Sequence, residues 1–424
     1  MHMKKIIKKI ALLLIVFCIG VGVTLLYTNN KYGVYEKEET KQIKKHVDTI
    51  SMMLETEAKS GNYERTARES WPTEGYVFNT TLSKCENGGE LSWDDEKKVV
   101  LMSGNVSDKC YVYFDVYVPP RFDEICDETT LACHVAKLYT GTQGENGIYY
   151  HDSSLTNGAG DSSYRYSGAN PNNYVCFGSN ESTCPTDNLY RIIGVFGNQV
   201  KLIKYDYATS ALLGTDGDYA STGTPSASYY KGSLTTIDIY YWNNSTKKNT
   251  WSESLLNKTN LNTNFINNIG TEWANKIATT TWKVGGNTYA NISQVVPSVA
   301  YQNEIVNPVT TNTTDNAKEY SAKIGLMYVP DYGYAASSSA WTLTMNNYNS
   351  TTAKNLNWMH MGYYDWTLSR NADDSSYAFL VYYNGSVSSY SVNDDFAVRP
   401  SFNLESSITY ASGSGTQSDP IRIN

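Results

Sequence analysis

No Asp, Glu, Lys or Arg interrupts residues 10 to 30, a run of Ile, Leu, Val, Phe and Gly that ends near Leu26. Such a run is near the minimum for a bilayer span, and Lys4, Lys5, Lys8 and Lys9 before it hold the N-terminus in the cytoplasm. The pattern predicts a transmembrane helix with the rest of the chain exported. Leu25-Leu26-Tyr27 lacks the small residues of a cleavage site, so an uncleaved signal anchor over 1–30 is expected. Ile43, Val47, Ile50 and Leu54 then recur at steps of four and three among charged residues. This spacing predicts an amphipathic helix within 31–62, either a stalk or packed on the next domain.

From residue 63 to 120 the period changes. Leu91-Ser-Trp93 and Lys98-Val-Val-Leu-Met102 flank Asp94-Asp95-Glu96-Lys97 as a hairpin would. Cys110, Val112, Phe114, Val116 and Val118 alternate with polar or Tyr positions, which predicts a small β-sandwich-like module ended by Pro119-Pro120. Residues 121–140 read as a linker with a short helix between Thr129 and Leu138. In 141–424 strands come first: Tyr190 to Phe196, a Gly197-Asn198 turn, and Gln199 to Lys204. Thr250 and Glu253 have capping-box spacing, and Leu261, Phe265, Ile269, Trp273 and Ile277 recur every four residues, so helices are expected next. Strands return at Tyr377 to Tyr383 and Ser386 to Val392 around Asn384-Gly385. Strand, helices, strand describes an α+β unit with segregated elements.

Composition adds setting. The net charge is −8, and four of the lysines lie in the N-terminal segment, which argues against a nucleic-acid partner. Cys85 with Cys110, Cys126 with Cys133 and Cys176 with Cys184 form sequence-local couples. An even set in an exported chain suits disulfides, and the absence of Cys-x-x-Cys spacing argues against zinc. Cys18 lies between Phe17 and Ile19, which are too large for a lipidation signal.

Asn188 to Phe196, Lys323 to Ala335, Trp366-Thr-Leu-Ser-Arg370 and Val398-Arg-Pro-Ser-Phe-Asn-Leu404 resemble an uncharacterised family of bacterial exported proteins. That family is similar to the formylglycine-generating-enzyme branch of the C-type-lectin-like fold, and the resemblance covers residues 140 to 424. It implies a C-type-lectin-like domain whose first and last strands pair, with a late hairpin on the ligand face and Arg399 in a structural role. Oxidase activity is not implied, because such enzymes use a late cysteine pair and no Cys follows Cys184. Calcium remains the one cofactor option, through the likeness of Val392-Asn393-Asp394-Asp395 to a lectin motif.

Catalytic patterns are otherwise missing. No Gly-x-Ser-x-Gly elbow, His-Glu-x-x-His pair or phosphate loop occurs, and Asp216-Gly-Asp218 reads as a turn lacking the other ligands of a calcium loop. His2, His46, His134, His151 and His360 are scattered, and no enzyme is expected. Of the 35 residues from 361 to 395, 23 are Tyr, Ser, Asn, Asp or Gly. Tyr gives rigid contact area and the small polar residues adaptable hydrogen bonds, so this is the alphabet of a recognition surface. Tyr363, Tyr364, Asp365, Tyr382, Tyr383, Tyr390, Asn393 and Asp394 are the expected ligand-binding residues. Trp341, Trp358 and Trp366, with Phe379 and Val381, are expected in the core. The function so expected is a membrane-anchored extracellular binding protein, adhesin- or receptor-like, for a protein or glycan. A self-associating envelope protein is the alternative, and an envelope-glycan hydrolase a distant third.

Overall fold

The computed structural model describes residues 41–42, 49–104, 108–309 and 317–424. The expected transmembrane run, His2, Cys18, Ile43, His46 and Val47 lie outside them. The chain divides into two compact units, Met1–Pro119 and Pro120–Asn424.

In the first unit the described part of the expected amphipathic helix, from Ile50 to Glu55, is a strand. Ile50–Glu55 pairs in parallel with Cys110–Val116, setting Ile50 opposite Cys110 and Leu54 opposite Phe114. Ile50 and Leu54 fit a helical step of four, Ile50, Met52 and Leu54 fit a period of two, and a partner strand about 60 residues away decides between them. The five-stranded sheet also holds Tyr63–Thr66, Tyr76–Phe78 and Lys84–Cys85. The expected hairpin forms from Glu90–Asp94 and Val99–Ser103, extended by Lys41–Gln42. Both sheets feed one core, with Val100 and Met102 from one and Met52, Val112 and Phe114 from the other. Cys85 and Cys110 lie opposite each other in adjacent strands and are bonded. Glu55 ties strand ends together, its carboxylate accepting the N–H groups of Val116 (2.9 Å) and Gly61 (3.0 Å).

The second unit is built on a seven-stranded antiparallel sheet. Its order is Ile324–Gly325, Ser401–Asn403, Gln199–Lys204, Leu189–Phe196, Ser163–Tyr166 and Ile148–His151, with Tyr174–Cys176 also on Leu189–Phe196. The Leu189–Phe196 and Gln199–Lys204 hairpin turns through Gly197 at φ +62°, a conformation glycine adopts without cost. Smaller sheets surround it. Asp365–Arg370, Tyr377–Val381 and Val387–Ser391 form one, and Tyr219–Gly223, Ile237–Tyr241 and Asp395–Phe396 another.

This corrects the expected fold class. The described chain is mostly small sheets and only 19% helical, so segregated α+β and the C-type-lectin-like domain do not describe it. The first strand of the domain, Ile148–His151, pairs with Ser163–Tyr166, and the last, Arg422–Ile423, with Tyr410–Ser412, so the first and last strands do not pair. Among the described residues no helix is long and apolar enough to cross a membrane. The central helical run, Leu256–Phe265, has π geometry, and the side chains of Asn262 and Thr263 also donate to carbonyls five residues back, at Asn257 and Lys258. It buries Leu261 and Phe265, continues as Ile266–Asn268 and breaks at Gly270, φ +80°. No capping box forms at Thr250 and Glu253, where a turn closes instead. Residues 121–140 are no linker, because the helix Leu131–Ala136 sends Leu131, Ala132, Val135 and Ala136 into the main core. The remaining two expected cysteine couples, Cys126–Cys133 and Cys176–Cys184, are disulfide-bonded.

Candidate functional site

The tip of the Tyr377–Val381 and Val387–Ser391 hairpin gathers rings from separate segments. Tyr382 lies 4.7 Å from Tyr383 and 4.6 Å from Tyr364, between ring centres. Tyr364 stacks on Phe396 at 4.9 Å, Tyr390 meets Phe396 at 5.4 Å, and Tyr229 meets Tyr383 at 5.1 Å. All six rings are half-buried. The phenol of Tyr382 interacts with those of Tyr364 and Tyr390. Donation from Tyr364 holds Tyr382 below its ordinary pKa, while the bond to Tyr382 pushes Tyr390 up to about 12. Burial raises Tyr364.

The other expected contact residues separate. Tyr363 turns toward Tyr207, 6.1 Å away, and its backbone exchanges hydrogen bonds with the Tyr207 hydroxyl. Asn393 accepts from Ser391 Oγ (2.6 Å), and the Asp394 N–H donates to the Ser391 carbonyl (2.8 Å), so both shape the turn beside Tyr390. Partial burial raises the Asp394 carboxyl. Asp365 does not belong to the face: it is 1% exposed, and its Oδ2 accepts from Arg399 Nε at 2.6 Å. Arg399 Nη2 also donates to the Met359 carbonyl at 2.7 Å. Trp341, Trp358 and Trp366 are buried, and their indole N–H groups donate to backbone carbonyls of Ala336, Tyr166 and Tyr240.

The three histidines among the described residues, His134, His151 and His360, each make a structural contact. His151 is fully buried, its Nδ1 accepts the Ala159 N–H (3.1 Å), and burial drives its pKa well below the usual value. His360 contacts the Tyr383 carbonyl through Nε2 at 3.0 Å, and burial lowers it to about 4. His134 stacks on Tyr410 at 3.7 Å. Asp218 anchors loops, accepting the N–H groups of Asn244 (3.0 Å) and Leu256 (2.8 Å), so Asp216-Gly-Asp218 is a turn.

A second cluster, on the main sheet, was not among the expected sites. A cavity of about 220 Å³ is lined by Arg165, Lys201, Asp331, Phe196, Tyr301 and Tyr328, with others. Lys201 Nζ donates to Asp331 Oδ2 at 2.5 Å, and Arg165 Nη1 lies 3.5 Å from Asp331 Oδ1. Arg165 Nη2 also donates to Asp161 Oδ2 at 2.5 Å. Rings wrap the cations: Arg165 sits 4.6 Å from the centre of Phe196 and 5.0 Å from Tyr334, and Lys201 4.5 Å from Tyr328. Beside them Glu304 is buried; its Oε1 contacts Ser369 Oγ, and its Oε2 has no hydrogen-bond partner. Burial pushes Glu304 up to about 8 and lowers the Lys201 amine. The signal open to inspection was a charged residue inside the strand run Gln199 to Lys204, next to Val200, Leu202 and Ile203.

No protein-family model, no curated protein and no solved structure matches the chain.

Proposed function

We propose that the second unit is a recognition module of an exported protein, binding an extracellular protein or glycan through Tyr364, Tyr382, Tyr383 and Tyr390. One observation carries this reading: six aromatic rings from separate segments converge at a hairpin tip and stay half-buried. Rings that only fill a core are sealed, as Trp242 and Trp251 are at 4.9 Å from each other. Half-covered Tyr rings offer apolar faces and hydroxyls together, which suits protein surfaces and sugar rings alike. The three disulfides support an oxidising, extracytoplasmic setting. His134, His151 and His360, the histidines among the described residues, engage in packing and backbone contacts.

The test is a binding screen of the pure chain against a glycan array and against intact cells. Tyr383→Ala combined with Tyr390→Ala is expected to weaken the captured interaction at least tenfold, about 1.4 kcal/mol, with the fold retained by circular dichroism. Undiminished binding by that folded variant rejects the face. Loss of self-association alone, seen by sedimentation, moves the reading to an envelope protein that packs against its own copies.

A further inference from the structure

We propose that Lys201 and Asp331 become joined by an intramolecular amide bond that forms spontaneously once the chain has folded, with Glu304 carrying the protons. Three conditions favour such condensation: an amine held against a carboxyl group, exclusion of water, and an acid nearby that can both donate and accept a proton.

The contact exists. Lys201 sits mid-strand in Gln199–Lys204, flanked on both sides by the Leu189–Phe196 and Ser401–Asn403 strands, so its backbone cannot shift. Asp331 is the third residue of the helix Val329–Ala335, and its Oδ2 also accepts the N–H of Tyr328 at 3.0 Å. The two side chains meet at 2.5 Å, with 6% and 4% exposure. Lys201 has three N–H bonds when charged, and Asp331 is its only hydrogen-bond acceptor among the described residues. The rings of Phe196, Trp282 and Tyr328 cover the amine, at 5.8, 5.4 and 4.5 Å from their centres.

The acid exists too. Ser369 Oγ contacts Glu304 Oε1 and accepts the N–H of Val329, two residues before Asp331, so Glu304 is tied to the same helix start. Its second oxygen is buried and free of hydrogen bonds. The charges of both Asp331 and Lys201 act on it, and burial keeps it protonated up to about pH 8.

The chemistry balances without any co-reactant. A proton passes from the Lys201 ammonium to the Asp331 carboxylate, giving a neutral amine and a carboxylic acid, and burial favours the neutral amine. The nitrogen lone pair attacks the carboxyl carbon to form the C–N bond. Arg165 Nη1 faces Oδ1, where negative charge builds in the tetrahedral intermediate. Glu304 gives its proton to the departing oxygen, the C–O bond breaks, and water leaves. The excess proton on nitrogen then returns to Glu304. Amine plus acid becomes amide plus one water, with no change of oxidation state. The product closes a covalent ring between residues 130 apart and pins the helix to the central strand, across a stretch that the Cys126–Cys133 and Cys176–Cys184 disulfides do not reach.

Peptide mapping of the purified full chain, reduced and digested with trypsin, tests this directly. The expected result is a branched peptide containing Lys201 and Asp331, lighter than its two parts by one water. Lys201→Met is expected to abolish it. Should that variant fail to fold, Glu304→Gln, which keeps the size and the neutral state, is expected to leave the two peptides separate and at full mass. A folded wild-type chain in which both linear peptides appear at full mass overturns the proposal. A branched peptide that survives in Glu304→Gln overturns the role of Glu304.

Discussion

Two aromatic regions of the second unit use the same residue type in opposite ways. At the hairpin tip rings meet rings: Tyr364, Tyr382, Tyr383, Tyr390 and Phe396 lean on one another and remain half-covered. On the main sheet rings meet cations: Phe196, Tyr301 and Tyr334 surround Arg165, and Tyr328 faces Lys201, both cations being buried. A ring face already committed to a buried guanidinium cannot receive a ligand, whereas one shared with another exposed ring can. In a chain with 36 Tyr residues, their number therefore marks nothing. The neighbour of each ring separates a recognition surface from an insulating wall.

The largest effect expected from breaking this contrast is on stability at the wall. Asp331→Ala strands two buried cations, Lys201 and Arg165, and is expected to cost about 3–5 kcal/mol, the usual consequence of removing one partner of a buried pair. Tyr383→Ala at the tip, where the ring is half-covered already, is expected to cost about 1 kcal/mol. Urea unfolding followed by tryptophan fluorescence measures both. Equal costs would mean that the charged cluster is solvated like the tip, and the distinction would collapse.

Local features of these regions were legible in the sequence, and distant ones were not. The hairpins follow from alternation and from turns such as Asn384-Gly385, where Gly385 takes φ +99°. The cysteine couples were readable because each pair is at most 25 residues apart. Trp366, Phe379 and Val381 are core as expected, but so are the neighbouring Ala378 and Leu380, because both faces of these strands are covered. By contrast, the spacing of Ile50–Glu55 fits two periods, and the strand that decides between them is remote in sequence. Asp365 resembled a contact residue because Tyr363 and Tyr364 precede it, while the Arg399 that captures it lies 34 residues on. Lys201, Glu304 and Asp331 come from a strand and two short helices, and no local pattern announces their meeting. The helical segments misled for a related reason: Asn side chains bonding remote loop carbonyls, as Asn260 does to Leu213 and Asp216, shape the run more than its apolar period does.

A smaller effect sharpens the difference through pH. The folded chain keeps a proton on Glu304 up to about 8, whereas the unfolded chain releases it near 4.5. Glu304 therefore contributes stability that is whole below the unfolded value and is lost as pH rises through about 8. Within that window its share of the slope is about 1.4 kcal/mol per pH unit, an upper figure for a single group. Glu304→Gln carries no such proton, so its urea midpoint is expected to fall less than that of the wild type between about pH 5 and about pH 8. Burial, the largest cause of the shift, acts on Glu304 whether or not Lys201 and Asp331 are joined. Parallel slopes would remove Glu304 from the charged cluster.

The smallest expected effect lies at the tip and concerns hydroxyls alone. Tyr382 is held below its ordinary pKa chiefly by hydrogen bonding from Tyr364, and then by Tyr390. Tyr364→Phe keeps the ring that stacks on Phe396 and removes that donor. The lowest phenol ionisation in an ultraviolet pH titration is therefore expected to move upward, with the midpoint of urea unfolding almost unchanged because no ring is lost. An unchanged titration would mean that the three hydroxyls act separately, and the tip would then present isolated rings in place of one connected polar and aromatic surface. A large loss of stability from this single hydroxyl would instead make Tyr364 part of the core, and would narrow the recognition face to Tyr382, Tyr383 and Tyr390.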